Sequence, residues 1–323
     1  MNLVYRRINE KDFLKIKILF YKVFKRKISK KFYNWRYLDN LKYNSFAVFD
    51  NKKLIAHVGF VKYELNKSLN NSKKYIYSRH SSMVDLRYRN KNIYSKLLNF
   101  SFLKLKINNL GFIVWPNQIN FLILKKKNDY YKFSTHSIYS IDIINNKKNI
   151  YSSLYNFFDS KDVASMDNFF DSFKQNSILN KDFDYFSNRY LKYDKKNYKF
   201  VEKKVNQECL SLFVLSFEYK KDTVIVKVFD FYSIKNNFLY ELNNLIQFLS
   251  MYFQNKYKIN LLFWSANQIK TSIFSHKINR IDKNFNICFI PNNISDSKFN
   301  HSIGKFKFFM GDTDVFCNID KTN

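Results

Sequence analysis

The segment Met83-Val84-Asp85-Leu86-Arg87-Tyr88-Arg89-Asn90-Lys91-Asn92-Ile93-Tyr94 carries a strand into a short basic turn and out into a helix. Upstream, Tyr75 to Asp85 reads as extended chain. Downstream of Ile93, Leu97, Leu98, Phe102 and Leu105 recur on one helical face. At such a junction the first-turn amides have no intrahelical partner and the helix dipole is positive, so a pyrophosphate can dock there. Arg89 and Lys91 add charge beside those amides. A solvated basic turn has the same composition, and these residues alone do not separate the two readings.

The chain opens with a strand (Leu3-Val4-Tyr5) and a helix over about 10–24, where Phe13, Ile16, Phe20 and Val23 keep helical spacing. Strands follow at Ser45–Phe49 and Leu54–Glu64, turned by Asp50-Asn51-Lys52-Lys53. After the helix from Ile93 come the strand Gly111–Trp115 and a helix from about Asn117. An antiparallel meander followed by β-α-β-α is a mixed α/β sheet. With 4 Gly in 323 residues, turns that need a left-handed backbone must use Asn, which tolerates that region better than other non-glycine residues.

Two short passages recur. Tyr33-Asn34-Trp35-Arg36-Tyr37-Leu38 is echoed by Phe186-Ser187-Asn188-Arg189-Tyr190-Leu191, an offset of 153. Trp115-Pro116-Asn117-Gln118-Ile119 is echoed by Trp264-Ser265-Ala266-Asn267-Gln268-Ile269, with Asn-Gln-Ile at an offset of 150. Near-equal offsets point to a duplicated unit of common domain size. The second copy reads as strands at Glu208–Tyr219 and Thr223–Tyr232, a helix near Asn236–Phe253, the strand Ile259–Trp264 and a helix after Asn267. A linker between Asp142 and Asp171 divides the chain into 1–145 and 146–323.

The net charge of +30 invites a nucleic-acid partner. Only nine of the 56 basic residues are Arg, the residue suited to bidentate phosphate and base contacts, which weighs against it. The same field suits an anionic small substrate. Cys209, Cys288 and Cys317 form neither a disulfide framework nor metal-ligand spacing, and the five histidines form no cluster, so no metal is expected. No stretch approaches 18 apolar residues, so no membrane span is expected and the chain reads as cytoplasmic. Oligomeric state is not legible.

Arg89-x-x-Asn92-x-Tyr94 resembles the R/Q-x-x-G-x-G/A pyrophosphate loop of the GNAT superfamily of acyl-CoA-dependent N-acyltransferases, with Asn92 and Tyr94 standing at the glycine positions. Trp115-Pro116-Asn117 resembles that family's strand ending in Asn. The Tyr often found seven residues further on, a general acid toward the departing thiolate, is here Leu124, and the usual glycine near the end of that helix is Asn128. The resemblance implies two tandem GNAT-like domains, each a mostly antiparallel, splayed central sheet flanked by helices. It implies acetyl-CoA or another acyl-CoA as cofactor, held by Met83, Val84, Arg89, Asn90, Lys91, Asn92, Ile93, Tyr94 and Asn117. Asp230 to Asn237, the corresponding stretch of the second copy, has neither the Arg nor the glycine-like turn, so that copy is expected to have lost the cofactor and to shape the acceptor pocket.

The reaction so implied moves an acyl group, acetyl foremost, to an amine acceptor, which must lose a proton to attack a thioester. His80, Asp85 and Glu64 are the candidate bases; a strand histidine and capping or exposed carboxylates are their structural readings. The ending Gly311-Asp312-Thr313-Asp314 resembles a GDxD terminus of tandem relatives, many found in bacterial surface-polysaccharide gene sets. Asp312 and Asp314 are therefore candidate contacts to an amino sugar, nucleotide-linked and anionic, with Trp115 beside the pocket. Two alternatives stand: a tandem transferase using charged tRNA, and a non-catalytic polyanion-binding protein on the same scaffold.

Overall fold

A computed structural model describes residues 1–38, 43–65, 75–89, 91–105, 109–115, 121–122, 131–143, 154–159, 162, 166–176, 180–192, 198–235, 237–253, 256–265 and 277–291. The chain divides into two compact units. The first holds Met1–Phe133 and gains Ile287–Pro291, the end of a distant strand; the second holds Ser134–Asn286. Each has a mixed sheet flanked by helices.

In the first unit the strands are β1 (Leu3–Arg7), β2 (Tyr43–Asp50), β3 (Lys53–Glu64), β4 (Tyr75–Val84) and β5 (Asn109–Val114). β1 to β4 pair antiparallel in order, and β4 pairs with β5 in parallel. Helix α1 (Phe13–Phe24) buries Ile16, Leu19 and Phe20. Helix α3 (Ile93–Leu105) covers Phe46, Val48, Val58, Phe60 and Phe112 with Ile93, Leu97 and Leu105. With helices on both faces, β2 is buried almost end to end rather than alternating.

The second unit repeats the order: β7 (Tyr155–Phe158), α4 (Asp167–Asn176), β8 (Lys199–Val205), β9 (Glu208–Lys220), β10 (Thr223–Ser233), α6 (Phe238–Phe253) and β11 (Lys258–Ser265). β7 falls where the sequence suggested only linker; four residues are too few to show alternation. The neighbour of β5 is the end of β12 (Ile278–Pro291), whereas the neighbour of β11 is β6 (Tyr131–Ile143). The first sheet thus takes its last strand from beyond the second copy, and the second sheet takes its last strand from the stretch just ahead of its own first strand.

The first repeated passage is one structural device used twice. A short helix α2 (Lys30–Tyr33), capped by Ser29 Oγ, runs into a π-helical turn at Asn34–Leu38. Helix α5 (Phe183–Phe186), capped by Asp182 Oδ1, runs into the same turn at Ser187–Leu191. Arg36 and Tyr37 are buried in one, Arg189 and Tyr190 in the other. Trp35, next to Arg36 in the repeated passage, is half-buried. The β2–β3 hairpin turns on Asn51 (φ 46°) and Lys52 (φ 70°), the β8–β9 hairpin on Asn206 (φ 52°) and Gln207 (φ 68°). Both central residues are left-handed, as two-residue hairpins require, and Asn leads each.

Candidate functional site

The β4–β5 ladder runs Tyr75↔Asn109, Tyr77↔Phe112 and Ser78↔Ile113 and stops. β4 continues through Arg79–Val84, still paired with β3, while β5 ends at Val114. The two strands therefore part, and at the fork the Trp115 indole Nε1 donates to Ser78 Oγ at 2.9 Å. Among the described residues no strand pairs with β4 on its β5 side beyond Ser78, and an extended chain bearing amides can pair there.

His80 lies two residues past the last ladder pair. Opposite it is Gly59, and a Cβ there would come within 2.3 Å of the imidazole, so the ring occupies the space a side chain would take. One residue too many on β4 between His80 and Met83 makes a bulge, with Ser81 at φ 47°. Ser81 Oγ is 3.0 Å from His80 Nδ1. The His80 ring stacks on Tyr37 and meets Tyr43 edge-on. Beneath the bulge, His57 Nδ1 donates to the Ser81 carbonyl at 2.9 Å. Burial pushes His57 down to about 4, so it stays neutral and fixes the bulge. The Arg36 guanidinium stands 5.0 Å from the centre of the Tyr43 ring.

Past the C-terminal end of β4, Asn92 adopts φ 55°, the glycine-like conformation its place in the loop requires, and its carbonyl accepts from Lys96 N. No acidic residue occupies the first turn of α3, and Arg89 and Lys91 are exposed beside it. Met83 is buried and Val84 half-buried. Tyr94 Oη donates to Ser82 Oγ at 2.5 Å, tying the helix start to the bulge. Asp85 caps the turn Leu86–Tyr88 through Arg87 N and is bound by Lys53 (3.2 Å), Arg87 (3.4 Å) and Lys22 (3.8 Å). Burial raises its pKa, but the bonds from Arg87 and Lys53 outweigh this and hold it at about 2. Glu64 is exposed at the far end of β3, opposite Tyr75 and 4.0 Å from Lys62. His80 alone of the three candidate bases sits at the fork. Asn90, Asn117, Leu124, Asn128, Asp312 and Asp314 lie outside the described residues.

The second unit fills the matching positions. Asp230 pairs with Val214 beside the irregular step of the β9–β10 ladder, as His80 pairs with Gly59. Its buried carboxylate accepts from Lys181 Nζ (3.1 Å), Tyr190 Oη (2.8 Å) and Tyr232 Oη (3.2 Å). Tyr190 is the counterpart of Tyr37. Near the start of α6, where α3 is free of acids, Glu241 is buried and bound by Lys203 Nζ at 2.9 Å and by Tyr155 Oη. The pairings of Lys181, Asp230, Glu241 and Ser81 are not legible in the sequence, because a single polar residue in a strand or helix does not show its partners.

No protein-family model and no curated protein matches the chain. Solved structures do. A GCN5-related N-acetyltransferase from Anabaena variabilis superposes with a TM-score of 0.67 at 10% identity, over 91% of this chain and 74% of that one. The fold is the GNAT fold. A conserved protein of unknown function from Enterococcus faecalis, described as a probable N-acyltransferase, gives 0.64 at 9% identity over 90% of this chain and 73% of that one. The N-myristoyltransferase of Saccharomyces cerevisiae, solved with bound myristoyl-CoA, gives 0.56 at 11% over 89% and 79%. Within this GNAT fold, the fork of β4 and β5 and the start of α3 are both built in the first unit.

Proposed function

We propose that the first unit transfers an acyl group, acetyl foremost, from acyl-CoA to an amine. The observation that carries the reading is the pairing of an open strand fork with a helix start that is free of acid, flanked by Arg89 and Lys91, and shaped by the left-handed Asn92. Those residues, with the amides of Ile93 and Tyr94 and the β4 edge at Met83 and Val84, fit a pyrophosphate and an amide-bearing arm. Asn90 and Asn117 are carried as further contacts. When bound, the cofactor supplies a thioester carbon from which an amine can displace the thiolate.

The chain's own part is to accept the proton the amine loses. His80 is nearly buried, and its Nδ1 faces Ser81 Oγ, itself on the partly exposed bulge. A proton therefore reaches the imidazole through the Ser81 hydroxyl, which receives one from the amine and passes its own on. Asp85, ionised among three cations, serves as a cap; Glu64 lies five residues along β3 from Gly59, the partner of His80. For the acceptor we carry an amino sugar in anionic, nucleotide-linked form, with Asp312, Asp314 and Trp115 as contacts; the net charge of +30 supports an anion.

Thiol release from acetyl-CoA over a panel of amines, nucleotide-linked amino sugars included, tests the activity. His80→Gln is expected to cut kcat by about 10²–10⁴ while leaving CoA affinity unchanged. Unaltered kcat in that variant removes His80 from the proton path.

A further inference from the structure

From Phe13 to Leu38 the chain carries nine basic residues and no acidic one. Seven of these (Lys17, Lys22, Lys25, Arg26, Lys27, Lys30 and Lys31) are exposed. Helix α1 within this stretch is apolar on two faces. One, through Ile16, Leu19 and Phe20, is buried in the unit. The other presents Leu14 (65% exposed), Ile18 (57%) and Tyr21 (52%) to the outside. At about 100° per residue these three form one stripe, with Lys17 along one side and Lys15 and Lys22 along the other. Lys25, left-handed at φ 56°, ends the helix and starts the basic loop. Lys22 lies 3.8 Å from Asp85, whose neighbour Leu86 is 61% exposed.

We propose that this face of α1 and the loop after it dock the protein on an anionic lipid surface. Among the described residues no helix is long and apolar enough to cross a membrane, so attachment of this kind is peripheral. Charge complementarity selects the partner. Lys clustered around an amphipathic helix matches phospholipid headgroups, while Leu, Ile and Tyr enter the boundary between headgroup and acyl chain. A nucleic acid would use the cations but leave the aliphatic stripe in water, and Arg26 is the one exposed Arg of the patch. A second copy would set this patch of cations against another of the same sign.

Full-length protein is sedimented with vesicles of phosphatidylcholine alone and with about 30% phosphatidylserine added. Binding is expected only to the anionic vesicles and is expected to weaken with salt. Lys17→Gln/Lys25→Gln/Arg26→Gln/Lys27→Gln, and separately Leu14→Ser/Ile18→Ser/Tyr21→Ser, should each lower affinity at least about tenfold. All these positions are exposed or edge the helix, and an unchanged thermal midpoint confirms folding. In Ile18→Trp, the added fluorescence should shift to the blue on anionic vesicles. Equal binding to both vesicles, no binding, or undiminished binding by the serine variant overturns the proposal. So does a short duplex RNA that binds more tightly than vesicles and is lost in the glutamine variant.

Discussion

The two units share every element from the first strand to the helix after the fourth, yet differ in what stands at two matching places. In the first, Gly59 makes room for His80, and the start of α3 carries cations and no acid. In the second, Val214 faces Asp230, which is neutralised by Lys181 and accepts hydrogen bonds from two tyrosines, and the start of α6 holds Glu241 bound to Lys203. One scaffold thus keeps an imidazole and a hydroxyl beside the strand fork, and the other pairs a carboxylate with a buried ammonium. A candidate site and an internal ion pair are alternative uses of the same positions.

The pair in the second unit can be broken. Asp230→Ala strands the Lys181 ammonium in the core and should lower stability by roughly 3–5 kcal/mol in denaturant titration. Replacing both, Lys181→Met with Asp230→Leu, should recover most of that loss, because packing then takes the place of the charges. A double variant as unstable as the single would mean the pair does more than fill the position.

His57, for which the second unit has Leu212 in the matching ladder position, gives the first unit a pH dependence. Its folded pKa of about 4 lies below the ordinary 6.5, so on acidification the unfolded chain takes the proton first. Stability from this group is complete above pH 6.5 and falls by roughly 3 kcal/mol as the pH drops to about 4. His57→Asn should flatten that part of the stability curve, whatever it costs at neutral pH. Asp85, lowered to about 2, acts further down: its share is lost between the ordinary carboxylate range and that value.

A smaller perturbation makes the first unit resemble the second. Gly59→Ala sets a methyl against the His80 ring, forcing a shift that should cost about 1–3 kcal/mol of stability. It should lower kcat and spare CoA affinity, since the helix start is untouched. Loss of CoA affinity instead would tie the bulge to the helix start.

Much of this was legible in the sequence. The strand–turn–helix at Met83–Tyr94 stands where it was read, Asn92 takes the glycine-like backbone, and both hairpins turn on Asn. The repeat at Tyr33 and Phe186 proved to be a capped helix running into a π-helical turn. Periodicity could not show the exchange of last strands, because β6 and β12 pair with partners more than a hundred residues away. Nor could it show Ser81, whose importance comes from a bulge, or Lys181, whose partner lies 49 residues on. Bulges and buried pairs are set by register, and register is a property of two segments at once.

The asymmetry between the units is tested most directly by calorimetric titration of the full chain with CoA. That asymmetry requires one site per chain, and Arg89→Glu with Lys91→Glu, both exposed, should weaken it by about a hundredfold without altering the thermal midpoint. Two equal sites, no binding at saturating CoA, or a single site indifferent to that charge reversal would contradict it.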